Sequence, residues 1–401
     1  MKTLIVNAKV ITPYRMLPLG TSVLVEDGKI ADVTESSVDP VSFDGKIVDA
    51  RGNYLAPGFI DTHTHGAGNC DFMDGDLESV FHACRTHMQY GTTSIVPTTL
   101  SSRDDELMEN LGNITQAQKT RENMPNILGI HLEGPYFAPA QNGAQDEKFL
   151  KTPDPKEYRR ILRKFPAIRK WTVAPELPGA MEMGRYLREK GVIASMGHTD
   201  ATEEDVANAI ENGYTMVTHL YNGMSRLTRK NARMYLGVAE STLLHDELTA
   251  EIIADGCHLP IPLLKLIVKA KGPEHICLVT DSMRAAGVDA TESILGSLKN
   301  GQRVEIEGGV AYMPGRKSFG GSICTADRLI RTMVHGVGLP LTTAVQMLTV
   351  TPAKTLGVFA EKGSISVGKD ADLILFDENI NVKFVMVTGR IWKDRTAESQ
   401  L

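Results

Sequence analysis

Apolar and polar positions follow one of two patterns along the chain. Residues 1–50 carry short runs with strand-like alternation, TLIVNAKVI, SVLVED and GKIADV, the last after the turn Asp27-Gly28. The last forty or so residues, from KGSISVGKDADLILFD to VMVTGRIW, read the same way. Between Tyr54 and Lys354, short β-rich runs alternate with longer amphipathic helical stretches, the pattern of parallel βαβ units. In order, the runs are LAPGFIDTH, TSIVPTT, ILGIHLEG, KWTVAPE, VIASMGH, TMVTHL, AEIIADG and ICLVTD. Eight strands close a (β/α)8 TIM barrel, for which roughly 250 residues are typical. The pattern predicts an α/β chain: a barrel over residues 55–354, and a small β-sandwich in which segments 1–54 and 355–401 pair. LAPGFIDTH is expected as a single strand. In ATEEDVANAIENG, Thr199, Asp200 or Thr202 is expected to cap the helix, with Gly213 past its end.

In such a barrel, chemistry sits at the C-terminal ends of the strands. Run one ends in His63 and His65, which share a strand face because side chains alternate with a period of two. Run three ends in Glu133, run five in His198, run six in His219 and run eight in Asp281, with His258 just past run seven. Taken singly, each has an ordinary structural reading: a helix cap for Glu133 or Asp281, a satisfied core imidazole for His198. Together they converge on one rim. Imidazole nitrogens and carboxylate oxygens suit a divalent transition metal, zinc or iron first. Catalytic metal sites keep a position open for water. His131 shares a face with Glu133 and is expected to pack or to support a ligand. His82, His87, His245, His275 and His335 fall outside the strand ends and receive no role.

Bulk composition narrows the partners. The 401 residues include 43 basic and 49 acidic side chains, a net charge of −6, which gives no global reason to expect nucleic acid or an anionic membrane. The five cysteines are scattered and lack CxxC spacing, which fits a reducing cytoplasm. MKTLIVNAKVITPYRM reads as a strand, because Asn7 and Lys9 interrupt any apolar leader. No apolar run approaches membrane-spanning length.

The succession HxH, HLEGP, GHT, THLYN, IADGxH and LVTDSM resembles the amidohydrolase superfamily. More narrowly, it is similar to the N-acetylglucosamine-6-phosphate deacetylase family. The opening LAPGFID and the closing KGSISVGKDADLILFD extend the resemblance over essentially the whole chain. The resemblance implies metal-dependent removal of the acetyl group from an N-acetylated amino sugar phosphate. It implies Glu133, His198 and His219 as ligands of a main metal, and His63 and His65 as ligands of a second, with Glu133 bridging and Asp281 touching the second metal. It implies one or two metals per subunit, Asp281 as general base, His258 as carbonyl stabiliser and substrate ligand, and Asn222, Ala144 and Gln145 beside the sugar. It also implies a cytoplasmic homodimer.

One segment departs from the family. Where many members carry Arg-Glu-Pro-Gly after THLYN, with an arginine that reaches the substrate's phosphate across a dimer, this chain has Ser225-Arg226-Leu227-Thr228-Arg229-Lys230-Asn231-Ala232-Arg233. Arg229, Lys230 or Arg233 could take the phosphate. An unphosphorylated N-acetylhexosamine and N-acetylgalactosamine-6-phosphate stand as alternative substrates. A cyclic-amide hydrolase needs a carboxylated lysine at the end of strand four, whereas Lys170 is at its start. A non-catalytic relative would have lost ligands that are all present here.

Overall fold

Parallel strands covered on both faces need side chains apolar or hydrogen-bonded on both, which is why the barrel runs read as nearly continuous apolar stretches. The computed structural model describes residues 2–36, 43–120 and 123–396. All eight expected runs form barrel strands: Phe59–Thr64, Thr92–Thr99, Ile130–Glu133, Ile168–Val173, Ile193–Met196, Tyr214–Val217, Thr249–Ile253 and Ile276–Val279. Each pairs in parallel with the next in sequence. The seam between strands eight and one is bridged by the Asp281 N–H donating to the His63 carbonyl at 2.8 Å. Beside it, the Thr280 hydroxyl donates to Asp61 at 2.6 Å.

The first run does not stay one strand. Tyr54–Pro57 joins the terminal sheet, Gly58 breaks the run, and Phe59–Thr64 enters the barrel. Gly58 is required at the break, since a Cβ there would lie 2.0 Å from Thr93 Oγ1. Among the three expected caps, Thr202 is the one used: it forms a reciprocal capping box with Asp205 at the start of Glu203–Glu211.

The chain ends meet in an eight-stranded sheet beside the barrel. Lys2–Val10 pairs with Thr21–Glu26 and Lys46–Asp49 in its first half and with Tyr54–Pro57 in its second. Its register shifts between Ile5 and Ala8, where Asn7 has a φ of 57°. A strand passing between two halves through such an irregularity is how a sandwich turns its corner. Tyr54–Pro57 also pairs with Leu373–Phe376, which continues to Val382–Val387 and Arg390–Asp394. Ile5, Val23, Leu55, Leu375 and Phe384 are buried in the core of this unit.

Two further pieces rise from the strand-end side. Glu292–Leu295, Gln302–Glu307, Val310–Tyr312 and Phe319–Ser322 make a four-stranded antiparallel sheet. Thr228–Lys230 and Arg233–Tyr235 form an exposed hairpin. Inside the barrel, polar side chains replace much of the usual branched aliphatic filling. His131 Nε2 lies 2.7 Å from the Thr172 hydroxyl, which lies 2.8 Å from that of Thr218, itself 2.6 Å from Ser195. His131 therefore packs inside the barrel, its ring edge-on to His63 with centroids 4.6 Å apart.

Candidate metal centre and active site

The strand ends bring six of the seven rim residues into one cluster. His63 and His65 project side by side, their Nε2 atoms 3.4 Å apart. His198 and His219 face them, Nε2 to Nε2 at 3.2 Å. The Glu133 carboxylate sits among all four: Oε1 lies 3.5 Å from His63, 3.2 Å from His198 and 2.9 Å from His219, and Oε2 lies 3.3 Å from His65. Asp281 Oδ1 lies 3.1 Å from His65 Nε2 and 3.4 Å from His63 Nε2. All six side chains are buried. His198, His219 and Asp281 have φ angles of 48°, 31° and 43°. Non-glycine residues in that region cost on the order of 1 kcal/mol or more each and tend to collect at functional sites.

The donor set fits a divalent ion. Two triads, His63–His65–Glu133 and Glu133–His198–His219, each hold their ligand atoms within 4.8 Å of one another. Tetrahedral zinc with bonds of about 2.0–2.1 Å separates its ligand atoms by about 3.4 Å. The observed N–N and N–O spacings of 2.9–3.5 Å match that footprint. Charge points the same way. Burial opposes ionisation of Asp281, yet the imidazoles of His63 and His65 hold it at about 2. Burial likewise opposes protonation of His65, yet Asp281 and Glu133 raise it to about 10. Two buried carboxylates demand positive charge between the rings, which a metal supplies.

Around the cluster, Gln145 donates its amide to Glu133 Oε2 at 2.8 Å. Gly143 and Gly223 flank the His198 ring, where an added Cβ would lie 3.3 Å and 3.0 Å from it. His198 Nδ1 lies 2.9 Å from the Gln141 carbonyl. His63 Nδ1 lies 3.1 Å from Glu251, which burial would neutralise but which Lys170 and His63 hold at about 2.

The cluster opens into a cavity of about 800 Å³. His258 stands on its wall, with Nδ1 2.8 Å from Asp255 and no hydrogen-bond partner for Nε2 among the described residues. Asn222, Ala144 and Gln145 also line it. Arg229 and Arg233 do not: they lie on the exposed hairpin, outside the cavity lining. The cations on the wall are instead Arg226, Arg316 and Lys317. Arg316 is paired with Glu307, and Arg226 donates to the Tyr221 carbonyl at 2.7 Å.

Several of these residues escape a reading by strand ends. Arg316 and Lys317 belong to the inserted sheet, whose signal is Gly308-Gly309 between two alternating runs, a hairpin pattern. Glu251 and Lys170 lie inside the barrel, Glu251 marked only by a lone charge in an apolar run and Lys170 hidden beside Arg169 in its strand.

The amidohydrolase family model matches residues 54–392. A Bacillus subtilis (strain 168) relative, N-acetylglucosamine-6-phosphate deacetylase, is 33% identical over 92% of this chain and 91% of its own. The solved N-acetylglucosamine-6-phosphate deacetylase of Pasteurella multocida superposes with a TM-score of 0.90 at 30% identity, covering 98% of this chain and 100% of that one. A mutant of the Mycobacterium smegmatis N-acetyl-D-glucosamine-6-phosphate deacetylase, solved in complex with N-acetyl-D-glucosamine-6-phosphate, superposes with a TM-score of 0.88 at 28% identity, covering 98% and 99%.

Proposed function

The chain belongs to the amidohydrolase family, and on that premise we propose that it hydrolyses the acetamide of N-acetylglucosamine-6-phosphate, giving acetate and glucosamine-6-phosphate. One observation carries this: four imidazole Nε2 atoms meet a single buried carboxylate, with Asp281 beside them, under a cavity of about 800 Å³ with cations on its wall. The match to deacetylases over nearly the whole chain supplies the substrate class.

Glu133, His198 and His219 would hold one divalent metal, and His63, His65 and Asp281 would complete a second position with Glu133 as the bridge. Zinc or iron in this donor set acts as a Lewis acid on the amide carbonyl and lowers the pKa of water to about 7. The protein's own groups do the rest. Asp281 takes a proton from the attacking water as its oxygen bonds to the acetyl carbon. His258, held through Nδ1 by Asp255, stabilises the carbonyl oxygen through Nε2 as charge builds there. Asp281 passes its proton to the sugar nitrogen, the C–N bond breaks, and amine and acetate leave. Asn222 and Ala144, which line the cavity, would flank the sugar ring.

Arg226 and Lys317 are candidates for the 6-phosphate from within the subunit. The hairpin with Arg229, Lys230 and Arg233 also exposes Leu227, Met234 and Tyr235, apolar groups suited to a homodimer contact that would bring those cations to the partner's cavity. A cytoplasmic location accords with five free cysteines, and no helix among the described residues is long and apolar enough to cross a membrane.

Acetate release by metal-reconstituted enzyme tests the reading, comparing N-acetylglucosamine-6-phosphate, N-acetylgalactosamine-6-phosphate and both free sugars. A preference for the phosphorylated gluco sugar by a hundredfold in kcat/KM, about 2.7 kcal/mol, is expected. Equal turnover of the free sugars would keep the chemistry and displace the named substrate.

A further inference from the structure

His63 is the one histidine of the cluster with a charged group behind it. Its Nδ1 lies 3.1 Å from Glu251 Oε2, and both side chains are wholly enclosed. The other Glu251 oxygen takes the Lys170 ammonium and, at 3.0 Å, the Thr62 hydroxyl. Lys170 is 1% exposed, and Glu251 is the one ionic partner recorded for it among the described residues. The other rings are held differently. His198 Nδ1 meets a neutral backbone carbonyl, and the Nδ1 atoms of His65 and His219 have no hydrogen-bond partner among the described residues.

Elementary chemistry gives this asymmetry a purpose. A histidine binds a metal through one nitrogen only if the other carries the proton, and an anionic acceptor behind the ring fixes that tautomer and raises the basicity of the ligating nitrogen. A lone carboxylate inside a barrel would be costly. Lys170 pairs with it, so the two together add no net charge beneath a cluster that already contains Glu133 and Asp281.

We propose that Lys170 and Glu251 are positioning residues that hold His63 as the Nδ1–H form and so set how tightly the His63–His65 side of the cluster binds its divalent cation. This rests on the reading of the cluster as a metal centre. The pair controls occupancy of the second position and leaves the Glu133–His198–His219 position to itself.

A purely structural bridge between strands four and seven predicts something else. Buried ion pairs replaced by apolar residues of similar volume commonly leave a fold intact. In K170M/E251L a structural role would thus be filled, while His63 loses its acceptor. In K170M/E251Q the pair is neutral, but an amide oxygen still faces Nδ1. Zinc is the probe: stoichiometry by elemental analysis and affinities by chelator competition, with thermal unfolding of each variant alongside. Wild type is expected to hold two zinc ions per subunit. K170M/E251L should hold the first normally and the second about 10–100-fold more weakly. K170M/E251Q should recover most of that loss. A K170M/E251L variant that binds both ions like wild type overturns the proposal, as does one that loses both equally, or a wild type with a single ion that the variants hold as tightly. Wild type that binds no zinc would instead overturn the metal reading beneath it. A second measurement reads the tautomer in the native protein itself: ¹⁵N-histidine spectra of metal-free wild type, with the His63 signals assigned by their loss in His63→Asn, should show a proton on Nδ1, and a bare Nδ1 would overturn the proposal.

Discussion

Gln145 donates its side-chain amide to Glu133 Oε2 at 2.8 Å, while its own amide oxygen accepts the Ser101 N–H at 2.9 Å. The glutamine is thus locked from behind and aims at the carboxylate central to both triads. Gln145→Leu removes that donor, and metal affinity is expected to fall by about 10–100-fold. Chelator competition checks it. A glutamine serving the sugar alone would raise KM and leave metal affinity untouched.

Asp281 reaches the cluster from the loop after strand eight, close to both His63 and His65. If it moves the proton, Asp281→Asn lowers kcat by a factor of about 10²–10⁴, the range for general acid–base groups. Metal at Glu133, His198 and His219 should persist, as elemental analysis would report. Substantial turnover with metal bound would remove Asp281 from the proton-transfer role.

Phosphate recognition divides between two sets of cations. Arg226→Ala and Lys317→Ala are each expected to raise KM for the phosphorylated sugar about tenfold, the scale of one charge-assisted hydrogen bond, with little change for the free sugar. R229A/R233A should raise KM similarly only if the hairpin serves a partner's cavity. Mixing R229A/R233A subunits with Asp281→Asn subunits would then restore activity, because one site of the mixed dimer has every part.

His87 makes stability depend on pH away from the cluster. Burial pushes its imidazole down to about 4, although the Gly66 carbonyl 3.2 Å away favours the proton. The unfolded chain takes up this proton below about 6.5 and the folded chain only below about 4. Stability is therefore complete above 6.5 and declines as the pH falls through that window, by up to about 3 kcal/mol. Urea midpoints for wild type and His87→Gln between pH 4.5 and 7.5 should diverge on the acid side, with the variant flatter. Parallel curves would show that His87 does not carry the loss.

The barrel could be read from sequence because its strands are short and apolar and end in residues unlike those runs. The period of two put His63 and His65 on one face, and the strand-end rule found Glu133, His198, His219 and Asp281 without contact information. The break at Gly58 was hidden because LAPGFID is apolar on both sides of it, though its halves serve different sheets. Lys170 is expected at the start of strand four, whereas the strand begins at Ile168; Lys170 is its third residue, and its long side chain reaches Glu251 inside the barrel. Glu251 itself lies between Ala250 and Ile252, where one acid does not disturb an apolar pattern. Arg229 and Arg233 were singled out for charge, which sequence shows, while the cavity wall depends on an inserted sheet whose path it does not.

The pairing of Leu55 with Leu375 affects how the chain is made. The partner strand follows by about 320 residues, so at about 5–20 residues per second it leaves the ribosome some 15–60 s later. Until then Tyr54–Pro57, the strand just before the barrel, has an unsatisfied edge, and Ile5, Val23 and Leu55 lack the cover of Leu375 and Phe384. The strands Leu373–Phe376, Val382–Val387 and Arg390–Asp394 are therefore a clasp rather than an appendage. A nascent or truncated chain lacking it would carry an open apolar sheet edge, the kind of surface that chaperones and aggregates recognise.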